Sequence, residues 1–282
     1  MAVTSNLETL IAPGLVGVSG TVSARLSACQ AYVDVVAVPE DMDERLAELV
    51  ASARPVAARC EAVALGNPCA RYADVEVELA DGTCVHARLI EPTGSCRMSE
   101  RVPLVLMFHD AGRPVRGWHH MTRFTALGYA VLALDAGVIP ADDAAKAYPE
   151  FVRRALAVAQ AYLGTSGVDA ERICTWGEGL GGALAIAVAA ALPERIAKCA
   201  ACAAYPADRG VPAYLDPVAL ASRLQAELLL GSGLRDEVAN TETQMTIANN
   251  AAGPARLVVY PEHAHERINE FENEVLRFIR FD

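Results

Sequence analysis

The sequence predicts an α/β fold, a mostly parallel sheet with helices on both faces. The main observation is a change of pattern after Pro103. Short apolar runs at 104–108 (LVLMF), 129–134 (YAVLAL), 172–175, 197–203, 227–231 and 256–260 alternate with stretches of helical period near 118–127, 142–163, 181–192, 217–225, 238–250 and 267–280. Apolar runs of this length between longer helices describe strands buried on both faces, joined by crossover helices. A second observation lies upstream. Residues 72–79 (YADVEVEL) alternate apolar and polar, Asp81-Gly82 follows, and Thr83–Ile90 alternates again, which reads as an antiparallel hairpin leading into the sheet. Composition agrees: 282 residues, 53% apolar and 21% charged, suffice for one large core.

Residues 1–38 read as irregular and mostly apolar. They show neither a basic leader nor an uninterrupted apolar stretch before a cleavage site, so a cytoplasmic protein is expected. Pro39-Glu-Asp-Met-Asp-Glu opens a helix expected to run to about Ala58, with acidic residues in the first turn, where the helix dipole favours them. The expected organisation is one domain over 1–282, in which residues 1–70 form an extension on a core of 71–282.

The balance of 24 Lys+Arg against 35 Asp+Glu gives a net charge of -11, which argues against nucleic acid and anionic membranes as partners. No run approaches the ~20 apolar residues of a membrane helix; 183–192 (ALAIAVAAAL) comes nearest and is too short. The eight cysteines are scattered, as reduced thiols are. Cys199 and Cys202 sit in an Ala-rich apolar run with no second pair at zinc spacing, so they read as buried structural residues. Neither a metal nor a cofactor is expected.

In open α/β sheets, chemistry gathers at the carboxyl ends of the strands. Run 172–176 is followed by Gly177-Glu178-Gly179-Leu180-Gly181-Gly182, the frame of a nucleophile elbow G-x-S-x-G with small residues two before and two after its centre. Gly179 stands where the serine belongs. Glu178 as an alternative nucleophile would put Trp176 and Leu180 at the crowded positions, which is sterically poor. Run 227–231 leads to Asp236, the position of a triad acid. Run 256–260 leads to His263 and His265, of which His265 is the better placed base. Nucleophile, acid, histidine is the chain order of α/β-hydrolases. In such a triad the acid orients the imidazole and the imidazole moves the proton. His109-Asp110-Ala111 follows the first run and is the loop that lends one backbone N–H to an oxyanion hole; Leu180 N–H supplies the other. His109 and Trp176 read as packed residues, as does Trp118 at the rim. Arg153-Arg154 reads as a solvated helix face.

These residues resemble the acetyl xylan esterase / cephalosporin C deacetylase family, carbohydrate esterase family 7. The resemblance is carried by FHDAGRPVRGWHHMTRFTALGYAVLALDAGV (108–138), VDAERI (168–173), GLRDEV (233–238), His265-Glu266 and the helix PEDMDERLAELV, and spans about 38–280. It implies an α/β-hydrolase fold that deacetylates small acetylated sugars or related esters, often as a homo-oligomer. By position, Asp236 matches the family acid, His265 the base, and Ala111 and Leu180 the oxyanion donors. The departures are Gly179 for the serine, Leu180 for Gln, Asp110-Ala111 for the Gly-Tyr of His-Gly-Tyr, and Ala136 and Val138 in place of Arg and Gln. Two functional classes follow: a carboxylic-ester hydrolase impaired at Gly179 (a pseudoenzyme in the limit), or a non-catalytic binding or scaffold protein on the same fold.

Overall fold

The computed structural model describes residues 7–11, 27, 37–110, 115, 117–137, 144–205 and 211–281. Ten strands among them form one sheet in the order β1-β10-β9-β8-β7-β5-β6-β4-β3-β2. In chain order these are β1 (Leu7–Ile11), β2 (Pro55–Val63), β3 (Ala70–Leu79), β4 (Cys84–Pro92), β5 (Val102–Phe108), β6 (Ala130–Asp135), β7 (Val168–Glu178), β8 (Lys198–Cys202), β9 (Glu227–Gly233) and β10 (Ala255–Tyr260). The helices are α1 (Met42–Ser52), α2 (Trp118–Thr125), α3 (Ala144–Leu163), α4 (Leu180–Ala191), α5 (Pro217–Leu220), α6 (Thr241–Asn250) and α7 (Asn269–Phe278). Every pairing from β1 through to β6 is parallel, whereas β6, β4, β3 and β2 pair antiparallel.

The six apolar runs all lie in parallel strands, and the reason is visible along β5. Leu104, Leu106 and Phe108 pack with α1, α3, α4 and α6 on one face, while Val105 and Met107 pack with α2 and α7 on the other. With a core on each face, both halves of the two-residue period are apolar. Helix α4 is apolar on all sides because it is covered on all sides: every residue except Ala191 is buried. The hairpin closes at Asp81-Gly82, where Gly82 takes φ +82° and Asp81 Oδ1 accepts the Thr83 N–H at 3.0 Å.

Three expectations need correction. The first helix ends at Ser52 rather than Ala58, and Pro55–Val63 becomes β2, antiparallel to β3. As the edge strand it is mostly exposed, so it lacks the apolar alternation that marks a strand. Residues 7–11, read as irregular, add a parallel strand beside β10, with Leu7 opposite Ala255 and Ile11 opposite Val259. The expected helix 217–225 is the short α5, capped by Asp216 on the Val218 N–H at 2.8 Å, followed by a 3-10 turn over Ala221–Arg223.

The bland readings fare as follows. Cys199 and Cys202 are buried, and burial pushes the Cys199 thiol up to about 12 and the Cys202 thiol higher. The seven cysteines among the described residues are free thiols. Trp176 is a core residue packed against Phe271 at 5.9 Å, and Trp118 meets the Tyr72 ring edge-on at 5.3 Å. Arg153 is not a solvated face. Only 15% exposed, it joins α3 to the hairpin turn through Asp81 at 3.0 Å and the Thr83 hydroxyl at 3.1 Å. Among the described residues, no helix is long and apolar enough to cross a membrane.

Candidate active site

The carboxyl ends of β5, β7, β8 and β10 converge on one small cleft, lined by Asp110, Glu178, Gly179, Cys202, Ala203, His265, Glu266 and Arg267. The elbow is built as its glycines require. Gly179 sits between β7 and α4 with φ 58° and ψ -127°. Its N–H donates to Cys202 O at 2.9 Å, and its carbonyl accepts from Gly182 N at 3.0 Å and Ala183 N at 3.2 Å. A side chain on Gly177 would run into the Gly181 carbonyl, and one on Gly181 would stand 2.5 Å from Phe108 O.

Asp236 and His265 are brought together. Asp236 is fully buried; its Oδ1 accepts the Val238 and Ala239 N–H groups, both at 2.8 Å, and its Oδ2 lies 2.8 Å from His265 Nδ1. A carboxylate opposite Nδ1 places the imidazole proton there and turns Nε2 toward the cleft as an acceptor. Because two backbone donors depend on Asp236, Asp236→Ala is expected to cost about 2–5 kcal/mol from orphaned buried groups. Asp236→Asn, which keeps one acceptor oxygen, is expected to cost less than half of that. Urea unfolding of the two variants checks this, and equal losses would show that the carboxylate's caps carry no weight. His263, the weaker candidate base, faces away from Asp236: its ring packs on Tyr260 and its Nε2 lies 3.9 Å from Glu270.

Ala111 lies outside the described residues. The Leu180 amide does point into the cleft, but it already has an acceptor. Asp110 Oδ1 takes its N–H at 2.9 Å and lies 3.4 Å from the Tyr205 hydroxyl. Asp110 Oδ2 is 3.9 Å from His265 Nε2. A Cβ built on Gly179 would fall closer than 3.0 Å to Oδ1, Cγ and Oδ2 of Asp110 alike. The Asp110 carboxylate thus fills the space a nucleophile side chain would take, and the site reads Asp236–His265–Asp110 across the cleft.

Sequence reasoning placed Asp110 in the oxyanion loop without seeing this substitution of one side chain for another. The available signal was the pair of departures itself: a side chain gained at 110 where the family has Gly, and one lost at 179 where it has Ser. Tyr205 and Ala203 were also missed. Ala203 holds φ 48°, strained for a residue with a Cβ, with its N–H on Gly231 O at 2.9 Å; next to it, the buried Gln244 clamps both backbone groups of Ala204. His109 is buried as expected, beside a small inner cavity shared with Arg123, Trp176, Glu178 and Glu272. Burial alone pushes the Glu272 carboxyl up, but hydrogen bonds and charge from Arg267 and Arg123 outweigh it and hold it below the ordinary range. That cluster fixes α7 and the His265 loop against α2. Among the described residues, no group of three His, Cys, Asp or Glu side chains is placed to hold a metal.

The model of the acetyl xylan esterase (AXE1) family matches residues 22–144 and 211–281, which include Asp110, Asp236 and His265. Among solved structures, the chain is similar to an acetyl xylan esterase from Paenibacillus sp. R4, with TM-score 0.76, 22% identity, and coverage of 90% of this chain and 98% of that one. It is similar to acetyl xylan esterase 1 from Thermoanaerobacterium sp. JW/SL YS485, with TM-score 0.76, 19% identity, and coverage of 90% and 97%. Est1E from Butyrivibrio proteoclasticus matches with TM-score 0.55 and 16% identity over 73% of this chain and 96% of that one. A search of curated proteins returns no match. The fold is that of the α/β-hydrolases, and the chain belongs to the acetyl xylan esterase family.

Proposed function

We propose that this protein is an acetyl-ester hydrolase by descent, with a cleft for small acetylated sugars or related esters, and that it is impaired in deacetylation as written. One observation carries the reading: at the elbow there is no side chain to acylate, and the Asp110 carboxylate holds the Leu180 amide that an acyl oxyanion needs. Preorganised donors stabilise developing negative charge, and an amide already bonded to a fixed anion is lost to that task. Asp236 and His265 are the acid and base of this reading, and Ala111 and Leu180 hold the positions of its oxyanion donors, the second of them taken by Asp110. The family resemblance extends the proposal to a homo-oligomer. A non-catalytic binding role is the second reading, favoured by the acidic wall of Asp110, Glu178 and Glu266 around His265.

The test is hydrolysis of p-nitrophenyl acetate and acetylated xylo-oligosaccharides by the native chain beside His265→Ala. The expected rate stays within the ~10³–10⁴-fold over water that remains when a triad member is missing. The His265→Ala form is expected to differ by less than about tenfold, since the imidazole has no serine hydroxyl at position 179 to deprotonate. Turnover near the ~10 s⁻¹ of ordinary enzymes, lost in His265→Ala, would overturn the impairment.

A further inference from the structure

The carboxylate that fills the elbow space is itself a nucleophile, and its neighbours suit attack on a saturated carbon. The geometry points to Asp110 as the catalytic nucleophile of a second activity, the hydrolysis of small epoxides to diols through an ester on its own side chain. This activity goes beyond the deacetylase reading and does not rest on it.

Three features carry the assignment. The Asp110 side chain is only 12% exposed, yet it lines the cleft. Its two oxygens are differentiated: Oδ1 is held by the Leu180 N–H at 2.9 Å, and Oδ2 is directed toward His265 Nε2 at 3.9 Å. Behind it, His265 is oriented by the buried Asp236 at 2.8 Å. Nucleophile, base and acid are therefore in line, with a carboxylate in the first place.

A carboxylate changes the substrate class. If Oδ2 added to an acetyl carbonyl, the tetrahedral adduct would expel the carboxylate again in preference to an alkoxide. The new oxyanion would also lack the Leu180 amide, which Oδ1 holds. Attack on a saturated carbon avoids both difficulties, because it forms an alkyl ester and builds no oxyanion on the substrate carbon. Among saturated electrophiles, an epoxide suits this cleft: its leaving oxygen needs a proton, and the Tyr205 hydroxyl stands 3.4 Å from Asp110 Oδ1.

The steps balance as follows. Oδ2 forms a bond to an epoxide carbon, the ring C–O bond breaks, and its electron pair goes to the ring oxygen, which takes the Tyr205 proton. The product is a hydroxyalkyl ester of Asp110 and a tyrosinate, which regains its proton from water. His265 Nε2 then takes a proton from water as the hydroxide adds to Cγ. The charge that develops falls on Oδ1, already held by the Leu180 N–H. Collapse breaks the Cγ–Oδ2 bond, the imidazolium returns the proton to the departing alkoxide, and the diol leaves with the former Oδ2. The new Asp110 carboxyl gives its proton to the hydroxide left when Tyr205 was reprotonated, which restores the carboxylate.

The experiment supplies propylene oxide and styrene oxide to the native chain, to His265→Gln and to Asp110→Asn. The native chain is expected to form diol. His265→Gln is expected to stop after the first step, so that one epoxide mass accumulates on the peptide carrying Asp110. Asp110→Asn is expected to lose both signals. A run of the native chain at limiting epoxide in heavy-oxygen water needs no substitution: the label should enter Asp110, and the first diol formed should be unlabelled. Absence of diol from the native chain with both epoxides overturns the assignment. So does label entering the diol directly, or an adduct that persists in Asp110→Asn on exposed thiols such as Cys60 and Cys84. Acetyl esters and epoxides are read separately, so failure here leaves the deacetylase reading standing, and the reverse also holds.

Discussion

The double variant Asp110→Gly/Gly179→Ser is expected to hydrolyse p-nitrophenyl acetate at least about 10²-fold faster than the native chain, while Gly179→Ser alone gains nothing. In a serine hydrolase, loss of the nucleophile costs about 10⁶ in kcat, so a recovery of 10² asks for only a small part of it. The obstacle to the single change is spatial and electrostatic. A Cβ at 179 would fall within 3.0 Å of three atoms of the Asp110 carboxylate. If that carboxylate swings aside, it remains a negative charge beside the place where an acyl oxyanion must form. Removing it frees the Leu180 N–H and clears the space in one step. The backbone is already in the elbow conformation at φ 58°, held by Cys202 O, Gly182 N and Ala183 N. Those bonds offset the ~1–3 kcal/mol that a serine pays there. A silent double variant with a native-like melting curve would remove the support for an intact acid–base pair. An active single variant would show that Asp110 does not block the site.

Gly177→Ala and Gly181→Ala are expected to lose more than about 4 kcal/mol, enough to leave little folded protein. Both glycines hold the crossing of β7, α4 and β5 at backbone-to-backbone contact. A Cβ at 177 meets the Gly181 carbonyl, and one at 181 meets the carbonyls of Phe108 and His109. Backbone of this kind has no rotamer to change, so the strand-to-helix turn itself must open. Gly164→Ala is the control, because nothing lies within 4 Å of its added Cβ. It is expected to stay within about 1 kcal/mol of the native chain. Urea unfolding of the three proteins decides the matter, and equal stabilities would show that the elbow yields.

The part of this molecule that was legible in its sequence is the part fixed by periodicity. Each of the six apolar runs became a parallel strand because a strand with a core on both faces has nowhere to put polar residues. The positions of Asp236 and His265 were legible for a related reason: each follows a strand end, and strand ends in an open sheet share one edge. β2 was hidden because an edge strand is half solvated, and PVAARCEAV follows continuously from a helix. β1 was hidden because its partner, β10, lies nearly the whole chain away. The placement of Asp110 was hidden most deeply. A loop residue's side chain goes where tertiary packing leaves a hole, and that hole lies at position 179, in the turn after a different strand.

The contact between residues 110 and 179 also makes the two positions one unit of exchange. Any side chain placed at 179 must displace the Asp110 carboxylate, and displacing it takes away the acceptor of the Leu180 amide. Glycine at both positions gives up that acceptor and supplies no nucleophile in return. What one position gains in side chain, the other yields in space.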